Sequence, residues 1–220
     1  IRSARVPATM VRDLGLLLLA IYAAAAAWLT MLAGWPMLFF SGVSFLLAVA
    51  VILLPFVPGY RGWGIGQAGV MLAFGLLPGL AGYYSQAQAL TWLALWAIVP
   101  QIFVVGVAHL AYDAIHIRRD WLIGKPTLAV NLGPVRASDV GTLLTLAVYV
   151  ALLLVTSLTA LPLMALMALA SLPMALGAFA PLQRDQITPD DRIHLYAAAL
   201  NSGLLAGFLF CAALVIDKLT

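Results

Sequence analysis

Residues 14–34, LGLLLLAIYAAAAAWLTMLAG, decide the fold class, because this run contains no charged side chain. At about 1.5 Å of rise per residue, a helix over this run would cross the roughly 30 Å hydrocarbon core of a bilayer. Six further runs of comparable length also lack Asp, Glu, Lys and Arg: residues 36–57, 66–83, 90–112, 140–157, 160–180 and 193–216. Prolines within the runs predict bends rather than breaks, since neighbouring helices stabilise kinked membrane helices. The sequence therefore predicts an all-α fold, a multi-span transmembrane helix bundle with seven spans in this chain.

The composition agrees with lipid as the solvent. The chain of 220 residues is 65% hydrophobic and 9% charged, with a mean hydropathy of +1.08, whereas soluble domains carry roughly 25% charged residues. This composition excludes a soluble globular domain. Neither an internal repeat nor a low-complexity linker divides the chain, so we expect residues 1–220 to form a single transmembrane domain. The basic residues are scattered between apolar runs, which argues against nucleic acid as a partner.

The charged residues lie on one side of the predicted bundle. All but one of the 11 Lys and Arg residues fall before the first run or between the second and third, fourth and fifth, or sixth and seventh runs. All but one of the 8 acidic residues follow the same distribution. Because basic residues favour cytoplasmic loops, this side is expected to be cytoplasmic. We therefore expect an integral protein of the bacterial inner (cytoplasmic) membrane.

Residues 113–133, DAIHIRRDWLIGKPTLAVNLG, concentrate the polar chemistry of the chain. Asp113, His116 and Asp120 are three and four residues apart, so a helix would place them on one stripe. Positive charge surrounds this stripe, from Arg118, Arg119 and Lys125. Two carboxylates at this spacing can hold Mg²⁺, which takes one or two protein carboxylates together with water and phosphate oxygens. On spacing alone, the simpler interpretation is the solvated end of a membrane helix.

The residues that follow Asp120 resemble a known family. The pattern DxxxGKPTLAVxxG over residues 120–133 resembles the second aspartate motif of the UbiA-type intramembrane prenyltransferases. The segment YRGWG at residues 60–64 is similar to the corresponding stretch of the dihydroxynaphthoate prenyltransferases of menaquinone synthesis. The similarity continues through the third span and its end, at Phe74, Gly75, Gly79, Gly82, Tyr83, Tyr84 and Gln86. The resemblance is clearest over residues 55–135.

This resemblance implies nine helices around a cavity open to lipid, with two aspartate-rich motifs on cytoplasmic loops. The motifs would hold Mg²⁺ and the diphosphate of an isoprenoid donor. The first span of this chain would correspond to the third helix of the family, so the seven spans would be part of an expected nine. We therefore expect an N-terminally truncated prenyltransferase, with the first aspartate motif upstream of Ile1.

The resemblance also implies roles for individual residues. Asp113 and Asp120 would be the catalytic and metal-binding carboxylates, and four residues would bind substrate: Arg61, His116, Arg119 and Lys125. His116 occupies the position of the usual first carboxylate of the motif. Because imidazole suits Zn²⁺ better than Mg²⁺, His116 is expected to bond a phosphate, a carboxylate or the acceptor.

The resemblance thus implies a Mg²⁺-dependent enzyme that transfers a polyprenyl group from an isoprenoid diphosphate to an aromatic acceptor, in the synthesis of a lipid quinone or related pigment. The expected partners are these two substrates and membrane lipid. One alternative is a catalytically inactive relative, which would explain His116. Another is a transporter or permease fragment, with His109 and Gln101 lining a substrate path. Such residues are more often hydrogen-bond partners between helices, and the charges lie at one membrane edge rather than near the midplane.

Overall fold

The computed structural model describes residues 7–53, 64–184 and 187–219. These residues form seven helices, each of which is long enough and apolar enough to cross a membrane. In chain order these are α1 (Ala8–Ala33), α2 (Trp35–Leu53), α3 (Ile65–Ala87), α4 (Trp92–Leu122), α5 (Leu128–Leu158), α6 (Leu163–Gln183) and α7 (Pro189–Leu219). The described residues contain no strand. The prediction of an all-α, seven-span bundle is confirmed.

The fourth and fifth helices extend beyond the predicted spans. Hydropathy predicts residues 90–112 for α4, but the helix continues to Leu122. α5, predicted over residues 140–157, begins at Leu128 and breaks once, at Gly133 with φ 73°, before Pro134. With 31 residues, α4 would be about 46 Å long, and the part of α5 after Gly133 would be about 37 Å long. Both exceed the roughly 30 Å hydrocarbon core. Charged residues therefore mark where these helices leave the hydrocarbon, not where they end.

α3 and α6 are irregular helices. The segments of α3 are the α-helix Ile65–Val70, the π-helix Met71–Leu76 and the α-helix Leu77–Ala87. Those of α6 are the 3₁₀-helix Leu163–Ser171, the α-helix Leu172–Leu176 and the 3₁₀ turn Ala180–Gln183. By contrast, α4 stays helical through Pro100, as predicted. Contacts with neighbouring helices allow such departures from regular geometry inside a membrane.

α4 is the central helix, because it packs against α3, α5 and α7. Its side chains Leu110 and Ala111 are fully buried, and alanine is the most frequent residue in the core that it shares with α5, α6 and α7. Small side chains let membrane helices approach closely, so that van der Waals contact holds them together. On the outside, leucines such as Leu16 and Leu17 are more than half exposed. This apolar surface is expected of helices that lipid solvates.

Candidate active site

Two aspartate side chains lie buried at the carboxyl end of α4. Asp113 is 4% exposed. Asp120, about two helical turns farther along α4, is 5% exposed. A solvated helix end would leave both carboxylates in water, because burying an unpaired carboxylate costs on the order of several kcal/mol. Arg118 and Arg119, between them in sequence, are exposed. The burial therefore argues against the solvated-end interpretation of the two aspartates.

The chain folds back over Asp120 in a Schellman motif, a common glycine-dependent end of an α-helix. Gly124 has φ 68°, and its N–H donates to the carbonyl oxygen of Trp121 at 3.1 Å. The N–H of Lys125 donates to the carbonyl oxygen of Asp120 at 2.8 Å. This turn returns the Lys125 side chain to the helix end, where Nζ is 3.9 Å from Asp120 Oδ2. The Gly-Lys pair thus places a cation beside the second carboxylate.

Replacing Gly124 with Ala tests the importance of this turn. The left-handed conformation costs an L-residue roughly 1–2 kcal/mol, whereas Asn tolerates it better. No atom lies within 4 Å of an added Cβ, so backbone strain is the only new effect. We expect Gly124→Ala to lower the unfolding temperature of the purified protein by an amount that corresponds to this cost, at about 2–4 °C per kcal/mol. Gly124→Asn should lower it less. Equal losses in the two variants would show that φ at this position does not limit stability.

Asp113 and Lys125 line one cavity of about 50 Å³ beside the end of α4. Four segments contribute to its wall: the end of α2, the start of α3, α4 itself and the loop between α4 and α5. The lining includes Val51, Gln67, His109, Asp113, Lys125 and Thr127. Thr127 Oγ1 accepts from the N–H of Val130 at 3.3 Å and so caps α5 at the edge of the cavity. The predicted carboxylate and lysine therefore meet inside the bundle rather than in lipid.

A hydrogen-bonded pair, Gln67 of α3 and His109 of α4, adds a polar group to the same cavity. Gln67 is buried, and its Nε2 donates to the carbonyl oxygen of Gly106 at 2.6 Å. Its Oε1 is 2.7 Å from His109 Nδ1, and Asp113 Oδ2 is 3.8 Å from the same nitrogen. His109 therefore makes a bond between helices, as its position in a span favours. Gln67 is not among the residues predicted for the site. The signal that could have indicated it is its single amide side chain in an apolar span, which favours a hydrogen-bond partner on another helix.

Two other predicted substrate-binding residues lie outside this cavity, and a third is not described. His116 is partly exposed, with Nδ1 2.9 Å from the carbonyl oxygen of Tyr112 and the two ring centres 4.5 Å apart. Arg119 is exposed, about a third of a turn round α4 from the buried aspartates. Arg61 lies outside the described residues. Substrate binding by these three residues stays a prediction.

The charges around the cavity suit a divalent cation. Two buried carboxylates face one ammonium group, so the cluster has an excess of negative charge that a cation would offset. Among the described residues, no group of three or more His, Cys, Asp or Glu side chains could hold a metal ion. Mg²⁺ needs only one or two carboxylates, but seven residues of helix separate the two Cα atoms by about 10.5 Å. The carboxylates would therefore share an ion only through water or phosphate oxygens.

The position along α4 sets the depth of the site. From Trp92, the first residue of the helix, to Asp113 the rise is about 31 Å. A hydrocarbon core is about 30 Å thick, so if Trp92 lies at one boundary, Asp113 lies at the other. Asp120 is then about 10 Å farther out. This depth suits a ligand whose charged group stays at the membrane surface while its apolar part enters the lipid.

The comparisons with known proteins point to one class of enzyme. No family model matches the chain, and no solved structure matches it. The chain is similar to the 2-carboxy-1,4-naphthoquinone phytyltransferase of Synechocystis sp., with 28% identity over 185 residues. The match covers 81% of this chain and 57% of the phytyltransferase, so the chain spans little more than half the length of that relative. Because a phytyl group is a prenyl group, this similarity supports the class of transferase that the residues after Asp120 resemble.

Proposed function

We propose that this protein is a UbiA-type membrane prenyltransferase that moves a polyprenyl group from an isoprenoid diphosphate to an aromatic, quinone-type acceptor. One observation carries the proposal. Buried Asp113 shares a cavity with Lys125, and Lys125 also approaches buried Asp120, in a chain similar to a naphthoquinone phytyltransferase. Such a cluster supplies both the negative charge that attracts a metal ion and the positive charge that attracts a diphosphate.

The chemistry follows from these charges. Asp113 and Asp120 would hold Mg²⁺, and Lys125 would contact diphosphate oxygens as a flexible point charge. Bound Mg²⁺ would supply neutralisation of the charge that develops on the departing diphosphate. A ring carbon of the acceptor forms the new bond to C1 of the donor while the bond from C1 to the diphosphate oxygen breaks. The acceptor then releases one proton, which restores the aromatic ring.

The prenyl tail would lie against the membrane-embedded helices. The polar cavity of about 50 Å³ holds only one or two water-sized groups, so the apolar part of the donor must extend beyond it. α2 and α3, which line this cavity, also line an apolar groove of about 460 Å³ together with α1. Met37, Phe40 and Phe74 form part of its wall. Within lipid the tail gains no hydrophobic free energy, so van der Waals contact with the helices would hold it. We assign the tail to this groove because α2 and α3 line both the groove and the polar cavity.

The sequence resemblance is the basis for naming the acceptor and the product of the reaction. We infer that the acceptor is a dihydroxynaphthoate and that the product serves menaquinone-type quinone synthesis. The distribution of Lys and Arg favours the cytoplasmic face of a bacterial inner membrane for the carboxylate cluster.

A transporter is the alternative from another functional class. Transporters bind their substrate and coupling ions near the bilayer midplane. Asp113 instead lies about 31 Å along α4 from Trp92, which is the full thickness of a hydrocarbon core. The depth of the carboxylates therefore favours chemistry at the membrane surface.

Prenyl transfer in proteoliposomes by the purified protein, produced from its complete gene, tests the proposal. With 1,4-dihydroxy-2-naphthoate and geranylgeranyl diphosphate as substrates, we expect a prenylated naphthalene product in the presence of Mg²⁺. Chelation with EDTA should lower the rate by at least about a hundredfold, because the metal stabilises the leaving group by several kcal/mol. Product formation that survives chelation would contradict the metal requirement. Folded protein that forms no product under either condition would support an inactive relative or a transporter.

A further inference from the structure

The bond between Gln67 and His109 determines which imidazole nitrogen carries the proton. Gln67 Nε2 donates to the carbonyl oxygen of Gly106 at 2.6 Å, so Oε1 is the amide atom that faces His109. An amide oxygen only accepts, so His109 Nδ1, 2.7 Å away, must donate. Asp113 Oδ2, 3.8 Å from Nδ1, is too far for a hydrogen bond. In the neutral ring, Nε2 is then the nitrogen that can accept a hydrogen bond.

This nitrogen is the part of His109 left for a ligand, since Nδ1 is bonded to Gln67. His109 lines the cavity that contains Asp113 and Lys125, and its side chain is 26% exposed. A diphosphate offers only acceptor oxygens, which suit Lys125 and a cation but not another acceptor. A hydroxyl group on an aromatic ring is a donor and matches Nε2. The cavity therefore combines a charged side for phosphate with a neutral side for a hydroxyl group.

We propose that His109 Nε2 accepts a hydrogen bond from a ring hydroxyl of the aromatic acceptor, while Gln67 holds the imidazole in the required orientation. This inference rests on the proposed prenyl transfer, because the acceptor is a substrate of that reaction. It assigns acceptor recognition to α3 and α4, metal binding to the two aspartates, and diphosphate contact to Lys125. An acceptor whose hydroxyl is methylated has no proton to donate and leaves Nε2 unpaired.

Two substitutions of His109 separate this role from a purely structural one. Asn carries an amide nitrogen near the position of Nδ1, so His109→Asn keeps the bond to Gln67 and has no atom near the position of Nε2. Gln reaches the position of Nε2, so His109→Gln offers an amide oxygen to the hydroxyl and loses the bond to Gln67. If the role is structural, Asn preserves function better than Gln. If Nε2 binds the hydroxyl, Gln preserves acceptor recognition better than Asn.

The experiment compares 1,4-dihydroxy-2-naphthoate with its two monomethyl ethers as ligands of the purified protein, produced from its complete gene. Binding is followed by naphthoate fluorescence without a prenyl donor, and turnover is measured with geranylgeranyl diphosphate and Mg²⁺. For the wild-type protein, at least one ether should bind about tenfold more weakly than the parent compound. In His109→Asn, the parent compound and that ether should bind equally weakly, with an unchanged KM for geranylgeranyl diphosphate. His109→Gln should keep part of the discrimination.

The outcomes distinguish this inference from the proposed function. Undiminished discrimination in His109→Asn would overturn the role of His109, and so would an absence of naphthoate binding by the wild-type protein. If the wild-type protein binds the naphthoate and transfers no prenyl group, the proposed function fails, and the binding data still decide the role of His109. If His109→Asn does not fold, Gln67→Met replaces it, because losing the bond that orients the ring should lower the same discrimination.

Discussion

Asp120→Asn should lower kcat/KM for prenyl transfer by at least about a hundredfold while the protein still folds. Asn keeps the shape of the side chain but removes the negative charge that would hold a metal ion beside the donor diphosphate. The fold should survive, because the side chain of Lys125, which faces Asp120, is 33% exposed and can be solvated. Asp113→Asn should have a similar effect, since Asp113 is as deeply buried and shares its cavity with Lys125.

Asp139→Asn is the matched control, because Asp139 is an exposed aspartate in the first half of α5. Turnover measured over a range of Mg²⁺ concentrations, together with thermal unfolding of each variant, checks the prediction. The control should match the wild-type protein in both measurements. If kcat/KM of Asp120→Asn stays within about threefold of wild type, Asp120 does not bind a metal ion required for the reaction.

Gly141→Ala should destabilise the bundle by about 1–3 kcal/mol. A Cβ at this position would lie 2.5 Å from two ring atoms of Phe179, which is itself only 1% exposed. The backbone of Phe179 is also held in place, since its carbonyl oxygen accepts from Ser138 Oγ at 3.0 Å. Neither the ring nor its backbone can therefore move away easily. Only glycine permits this close approach between α5 and α6.

Thermal unfolding of the purified protein measures the effect, at about 2–4 °C per kcal/mol for a chain of this size. Gly207→Ala in α7 is the control, because no atom lies within 4 Å of the added Cβ. Ala also has a higher helix propensity than Gly, by about 1 kcal/mol. The control should therefore unfold at or above the wild-type temperature. Gly141→Ala protein as stable as wild type would show that Phe179 repacks without loss.

The number of spans and the segment with the site could both be predicted from the sequence. A transmembrane helix requires about 20 consecutive apolar residues, and each stretch of chain meets or fails this requirement by itself. Residues 113–133 stand out because they contain a large share of the ionisable groups in the chain. Helical spacing also puts Asp113 and Asp120 on one face, and the structure buries both.

Helix ends and helix geometry could not be predicted in the same way. α4 continues past the apolar run to Leu122, because its last aspartates turn into the bundle while the arginines between them stay exposed. α6 contains a 3₁₀-helix over Leu163–Ser171, although its sequence is as apolar as that of the regular helices. Hydropathy measures the preference for lipid, and it does not report backbone hydrogen bonding.

By itself, the sequence determined the all-helical membrane class and the segment that carries the carboxylates, because both depend on residues close together in the chain. Only the tertiary structure decided that Gln67 meets His109, 42 positions later, and that His116 and Arg119 lie outside the cavity. Such placements depend on the rotation of each helix about its axis and on which helices pack together. Contacts between residues that are far apart in the chain determine both quantities. They therefore cannot be predicted from the local spacing of residues.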